Sequence, residues 1–189
     1  MKKIGITGSL ASGKTTASKI LSSKAGPLFS ADAVVSKIYR DSIFKNRIIK
    51  FLKIPKKSNL KNEVKKRVLS NKINLKILER IIHPMVRKEM FFFFKKHKNK
   101  KLVFLEIPLL IESKLIKYFD KIIFIKSKKN VRLKRYMSKY KKSAKLFHLL
   151  DKKQIKDSKK LKYCDHVVIN NNSLSNLKKN LFNILKLYE

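Results

Sequence analysis

Tryptophan is absent, cysteine occurs once, and glycine and proline occur four times each. Each shortage excludes something. The single cysteine, Cys164, cannot form an internal disulfide, so a reducing, cytoplasmic setting is expected. No apolar run approaches the ~20 residues needed to span a bilayer. Met1-Lys2-Lys3 leads straight into a short apolar strand, without the long apolar core or cleavage site of a secretory leader. Acidic side chains are also scarce: 12 Asp and Glu stand against 49 Lys and Arg, giving a net charge of +37. Taken alone, that excess suggests a nucleic-acid partner. It is almost all Lys, however, and it is spread over every segment beside plentiful Ile, Asn, Phe and Tyr. An AT-biased coding sequence produces this pattern everywhere at once. We therefore expect no specific nucleic-acid partner and no membrane partner. Non-specific binding to polyanions at low salt and long-range attraction of polyphosphates are expected. The 189 residues suffice for one well-buried domain with a small insertion.

What is present is organised around Gly8-Ser9-Leu10-Ala11-Ser12-Gly13-Lys14-Thr15, which fits G-x-x-x-x-G-K-[ST]. Ile4 to Thr7 before it reads as a buried strand, and Thr16 to Lys24 after it as a helix with Ala17, Ile20 and Leu21 on one face. Gly8 and Gly13 let the backbone turn tightly and bring its N–H groups, including those of Ala11, Ser12 and Thr16, towards phosphate oxygens. The helix N-terminus favours the same anions. Lys14 adds a mobile charge for the β- and γ-phosphates of ATP, and the Thr15 hydroxyl is suited to ligate Mg²⁺.

Further along, Pro27 to Ser30 reads as a second strand and Asp32 as the N-cap of a helix, or as a catalytic carboxylate at a strand's carboxyl end. Residues 43–98 read as a helical insertion: Ile43 to Leu52, Asn62 to Leu69, a helix ending at His83-Pro84, and another carrying Val86, Met90 and Phe91 to Phe94 as packing aromatics. Leu102 to Leu105 is a fully apolar run expected as a central parallel strand, and Lys121 to Ile125 is expected as the next buried strand. The helix after them has Val131, Leu133, Tyr136, Met137 and Tyr140 on its apolar side and Arg132, Lys134 and Arg135 on the other. Residues 138–162 read as a mobile helical lid. His166 to Ile169 is the last strand, and a final helix turns Leu174, Leu177, Leu181, Ile184 and Leu185 inward. The expectation is a single α/β domain over 1–189: a P-loop three-layer fold with a central parallel sheet, a helical acceptor-substrate insertion and a helical lid.

Several motifs resemble those of the dephospho-CoA kinase family. Ser30-Ala31-Asp32 resembles its Asp-Ala-Asp, and Ile82-His83-Pro84-Met85-Val86-Arg87 its His-Pro-x-Val-Arg. Glu106-Ile107-Pro108-Leu109-Leu110-Ile111-Glu112 is similar to Asp-Ile-Pro-Leu-Leu-Phe-Glu, and Cys164 to Asn170 to Ala-Asp-x-Val-Ile-x-Asn. Gln154 and Lys160 fall where the family has a lid Gln and Lys. Two departures stand out. Ser30 replaces the first Asp, and Leu60-Lys61 replaces an Asp-Arg pair, so a point charge stands where the family has a guanidinium fork.

The resemblance implies ATP-dependent phosphorylation of the ribose 3′-hydroxyl of dephospho-CoA by a cytoplasmic enzyme, monomeric or weakly self-associating. Asp32 takes the acceptor's proton and Lys14 serves the transferred group. His83, Arg87, Pro108 and Leu109 join Asp32 around the acceptor; His83 read by itself, at a helix end before proline, suits a structural turn better than a substrate contact. Arg135 closes on the ATP phosphates and Asn170 approaches the adenine. Glu106 either orients the metal shell through water or pairs with a nearby Lys.

Overall fold

The structure is a computed structural model that describes residues 1–55, 59–140 and 143–188, with the side chains of Leu69, Lys72 and Tyr140 excepted. The expected apolar placement of Tyr140, and the parts of the insertion at 56–58 and of the lid at 141–142, lie outside the described residues. In chain order the elements are β1 (Lys2–Gly8), α1 (Lys14–Ala25), β2 (Leu28–Ser30), α2 (Ala31–Ile38), α3 (Ser42–Leu52), α4 (Leu60–Ser70) and α5 (Lys72–Lys96). Then follow β3 (Leu102–Glu106), β4 (Lys121–Lys126), α6 (Lys129–Tyr140), α7 (Ala144–Lys153), α8 (Asp157–Leu161), β5 (His166–Ile169) and α9 (Leu174–Leu185). Contacts divide the chain into two compact units, 1–30 with 97–189, and 31–96. No helix among the described residues is long and apolar enough to cross a membrane.

The first unit is an α/β layer built on a five-stranded parallel sheet in the order β2-β3-β1-β4-β5. β3 and β4 flank β1 and are buried almost throughout, so they read as continuous apolar runs rather than alternating ones. Ile4 and Ile6 turn to one face, where Ala17 and Leu21 of α1 and Leu177, Leu181 and Leu185 of α9 close the core. On the other face Gly5 leaves room for the segment after β3: a Cβ there would meet Leu110 Cδ1 at 2.7 Å. Leu174, expected to face the core, is exposed. It is the first residue after the Ser173 cap and precedes the buried stripe by most of a turn. β5 is an edge strand, with Val168 buried and Val167 and Ile169 exposed.

Strand order places the functional end. From β1 the chain crosses to β2 on one side, and from β3 it crosses to β4 on the other side of β1. A crevice therefore opens at the carboxyl ends of β1 and β3, the position at which open α/β sheets bind ligands. The register confirms which residues reach it: Ile6 pairs with Glu106, Gly8 with Ile125, and Ser30 with Glu106.

The second unit is helical. Asp41 caps α3 by accepting from Phe44 N at 2.7 Å, and Asn59 caps α4 by accepting from Asn62 N at 3.2 Å. Two expectations fail here. α2 begins at Ala31, so Asp32 lies inside its first turn rather than capping it. Pro84 does not separate two helices, because α5 runs through it from Lys72 to Lys96. Proline removes one backbone hydrogen bond and crowds the preceding turn, a cost of ~3 kcal/mol. The opposing term is visible in the burial: Ile82, Val86, Met90 and Phe94 recur every fourth residue across the proline, and all are buried. Each contributes about 1.5–3 kcal/mol when fully buried, so the continuous stripe outweighs the break. The helical period also explains the aromatic run: Phe94 is buried, whereas Phe91 and Phe92 are exposed.

Candidate active site

The phosphate loop is shaped by two glycines that nothing larger can replace. Gly13 has φ 95°, and a Cβ there would lie 2.2 Å from Asn170 Nδ2. At Gly8, φ 153°, a Cβ would lie 2.4 Å from the Ile125 carbonyl oxygen. Gly13 is also the N-cap of α1, and it makes no side-chain cap. By contrast, α3, α4, α7 and α9 are each closed by an Asp, Asn or Ser side chain. No side chain therefore caps the first turn of α1, which suits an anion site at a helix N-terminus. Lys14 is buried, and its Nζ donates to the carbonyls of Gly8 at 3.1 Å and Ser9 at 2.8 Å. The buried Ser12 Oγ has no hydrogen-bond partner among the described residues.

At the crevice, Thr15 Oγ1 donates to Glu106 Oε1 at 2.6 Å, and Ser18 Oγ donates to Glu106 Oε2 at 3.3 Å. Glu106 is buried and Thr15 is exposed, so the carboxylate sits behind the hydroxyl. Among the described residues no lysine forms an ion pair with Glu106; its partners are the Thr15 and Ser18 hydroxyls. Ser18 was not foreseen, although its place one turn beyond Thr15 on α1 is a usable signal.

Behind the loop, residues after β4 and β5 hold its shape. Asn170 Nδ2 donates to Ser12 O at 2.9 Å, and Ser127 Oγ lies 3.2 Å from the same oxygen. Arg135 Nη1 donates to Ser127 Oγ at 3.2 Å and to Asn170 O at 2.9 Å. The Asn170 amide, read as an adenine neighbour, is thus engaged with the loop backbone. Arg132 also departs from the reading of α6: it is buried, whereas Met137 is exposed. Arg132 shares the i, i+4 face of Tyr136, and its charge is met by Asp151 Oδ1 at 2.5 Å and Leu10 O at 3.2 Å.

The segment expected as a lid is tied to the loop by groups other than lysines. Gln154 Oε1 accepts from Leu10 N at 3.0 Å, and Asp157 accepts from the Ser9 hydroxyl. Lys160 is fully buried, with Nζ 2.6 Å from Glu112 Oε1 in an ion pair. Asp151 and Asp157 were missed by motif reading. For Asp151 the signal was scarcity, since few acids are present to neutralise a buried cation such as Arg132.

In the second unit, Asp32 is exposed on α2, two residues along the chain from Ser30. His83 and Arg87 are half-buried on α5, where they line an open hollow of about 360 Å³ with Lys76, Glu79, Arg80 and Pro84. His83 is therefore inside a helix, not at its end. Burial holds its pKa below the usual histidine value and Arg87 pushes the same way, against the pull of Glu79. Pro108 is half-buried, its carbonyl accepting from Thr7 Oγ1 at 3.2 Å, and Leu109 is exposed.

An uncapped helix behind a glycine-shaped loop, at the switch point of a parallel sheet, is the architecture of a P-loop kinase. Comparison with known proteins narrows this. The sequence model of the dephospho-CoA kinase family matches residues 2–176. A dephospho-CoA kinase of Fusobacterium nucleatum is 33% identical over 178 residues, covering 92% of each chain. A structure of dephospho-CoA kinase from Campylobacter jejuni is 28% identical with TM-score 0.68, covering 98% of this chain and 96% of that one. A Thermus thermophilus structure is 26% identical with TM-score 0.85, covering 100% and 98%. The chain belongs to the dephospho-CoA kinase family.

Proposed function

We propose that the chain carries out the reaction of its family: transfer of the γ-phosphoryl group of ATP to the ribose 3′-hydroxyl of dephospho-CoA, giving CoA and ADP, the last step of coenzyme A synthesis. The family match over residues 2–176 carries this reading, and the glycine-shaped loop supports it. We assign the reaction to the cytoplasm and to a monomer or weak homo-oligomer.

Phosphoryl transfer asks a protein for position and charge rather than covalent chemistry. Backbone N–H groups from Gly8 and Ala11 to Thr16 take the phosphate oxygens, and Lys14 supplies a mobile charge. Arg135 and Asn170 serve the nucleotide from behind Gly13 by fixing the loop's shape. Residues 31–96 form the acceptor unit, in which Asp32 accepts the proton of the hydroxyl while His83 and Arg87 bind the acceptor. Pro108 and Leu109 contribute to the same substrate from the segment after β3. The donor set fits Mg²⁺: a threonine hydroxyl and a carboxylate, hard oxygens 2.6 Å apart. Thr15 would hold the ion directly and Glu106 through water, and when bound it neutralises charge on the β- and γ-phosphates.

Coupled ADP release tests the reading. ADP should appear with dephospho-CoA as acceptor and not with AMP, CMP or nucleosides. The reverse pattern overturns it.

A further inference from the structure

The hollow on α5 has a chemistry that the assignment of His83 and Arg87 leaves unused. Its lining residues Lys76, Arg80, His83, Pro84 and Arg87 are spaced four, three, one and three apart, so they share one helix face. At ~1.5 Å rise per residue the stripe from Lys76 to Arg87 is about 16 Å long. Three permanent cations line it beside a single carboxylate, Glu79.

Among the described residues most surface lysines form no ion pair, so what distinguishes these cations is that they line one concavity. The buried cations Arg132 and Lys160 are each matched to a carboxylate, and Arg67 lies 3.8 Å from Glu63. No ion pair within 4 Å involves Lys76, Arg80 or Arg87 among the described residues. Burial lowers the pKa of His83, which favours a hydrogen bond there over a charge. A volume of about 360 Å³ is at the small end of ligand pockets, enough for part of a substrate rather than all of it.

We propose that Lys76 and Arg80 extend the acceptor site along α5, and that this groove seats the diphosphate linking the nucleoside to the pantetheine arm. The inference rests on the reading of dephospho-CoA as the acceptor. Adjacent phosphates carry two negative charges a few ångströms apart. Arg80 meets such a group with a planar fork and Lys76 with a point charge, while Glu79 disfavours anions that do not engage both cations. The groove therefore selects a diphosphate-bearing acceptor over a bare nucleoside.

Calorimetric titration of dephospho-CoA into the full chain tests this, alongside steady-state kinetics. Lys76 and Arg80 are exposed, so the double variant Lys76→Ala with Arg80→Ala keeps its core. Its dissociation constant and KM for dephospho-CoA should rise about tenfold or more, with KM for ATP and kcat within about twofold. The variant Lys45→Ala with Lys50→Ala removes the same charge from exposed positions of α3 and should leave both within about twofold. Equal effects from the two variants, or none from the first, overturn the proposal. A wild-type chain that binds dephospho-CoA without phosphorylating it overturns the proposed function and leaves the groove to be judged on binding. A chain that does neither overturns both.

Discussion

Single atoms set the limits of the phosphate loop. Gly13→Ala must move Asn170 Nδ2, which stands 2.2 Å from the new Cβ and holds Ser12 O at 2.9 Å. The left-handed backbone at this position adds strain of about 1–3 kcal/mol. We expect at least tenfold weaker ATP binding by calorimetry with little change in KM for the acceptor; binding within twofold of wild type would show that the loop can relax around the methyl. Asp32 is a different case. It is exposed in the first turn of α2, so Asp32→Asn costs the fold little. As the acceptor's base it should lower kcat about a hundredfold or more while ATP affinity stays near normal. Activity surviving within a few-fold means that Asp32 serves α2 and the proton goes elsewhere.

At the scale of elements, α5 sets local propensity against burial. Pro84→Ala restores an N–H for the carbonyl of residue 80 and relieves the crowded turn. The buried stripe Ile82, Val86, Met90, Phe94 already carries the helix through this point. The variant should gain about 1 kcal/mol or more, read as a higher Tm, and a lower Tm would mean that the ring packs better than the bond it prevents. The start of β4 shows the opposite economy. Lys121 Nζ and Ile122 N both donate to Asp165, at 2.7 and 2.8 Å. Burial alone would raise the Asp165 pKa, but these donors outweigh it and hold it below the usual carboxylate value. Its stabilising effect is therefore present above the unfolded-state pKa of ~4 and is lost as pH falls through the folded value. Asp165→Asn should lower Tm by about 2 °C near pH 7, and the gap should close in acid. A gap unchanged at low pH would assign the effect to packing.

These elements also mark what a sequence can and cannot disclose. β3 and β4 were legible because their middles are buried on both faces and so are apolar without interruption between charged residues. The phosphate loop was legible because its chemistry demands fixed residue types at fixed spacing. Pro84 misled because propensity is local, whereas the stripe opposing it is buried by α2, α3 and α4. Arg132 misled because a charged side chain is assigned to solvent until its partner is known, and Asp151 stands 19 residues away. The roles of Ser127, Asp157 and Glu112 depend on the carboxyl ends of several strands meeting at one edge of the sheet, which no single motif encodes.

For the whole molecule, the net charge of +37 sets stability and substrate affinity against each other. Mutual repulsion of so many surface lysines opposes the compact state, and it acts over distances that salt screens, with a Debye length of ~10 Å at 0.1 M and ~3 Å at 1 M. Of the ion pairs, Arg132–Asp151 and Lys160–Glu112 are largely buried, so salt weakens them least, while the more exposed pairs Lys121–Asp165 and Arg67–Glu63 contribute too little to offset the relief of repulsion. Tm should therefore rise as NaCl is raised from about 0.05 to 0.5 M. The same screening removes the long-range attraction of polyphosphates, so KM for ATP and for dephospho-CoA should rise over the same range while kcat changes little. The two trends have one cause, and they should share one dependence on ionic strength rather than on the identity of the anion. A sulfate series matched to chloride in ionic strength separates that from specific anion binding at the loop: coincident Tm curves indicate screening alone. Sulfate curves lying above chloride, together with competitive inhibition against ATP, would place part of the stabilisation at the uncapped N-terminus of α1.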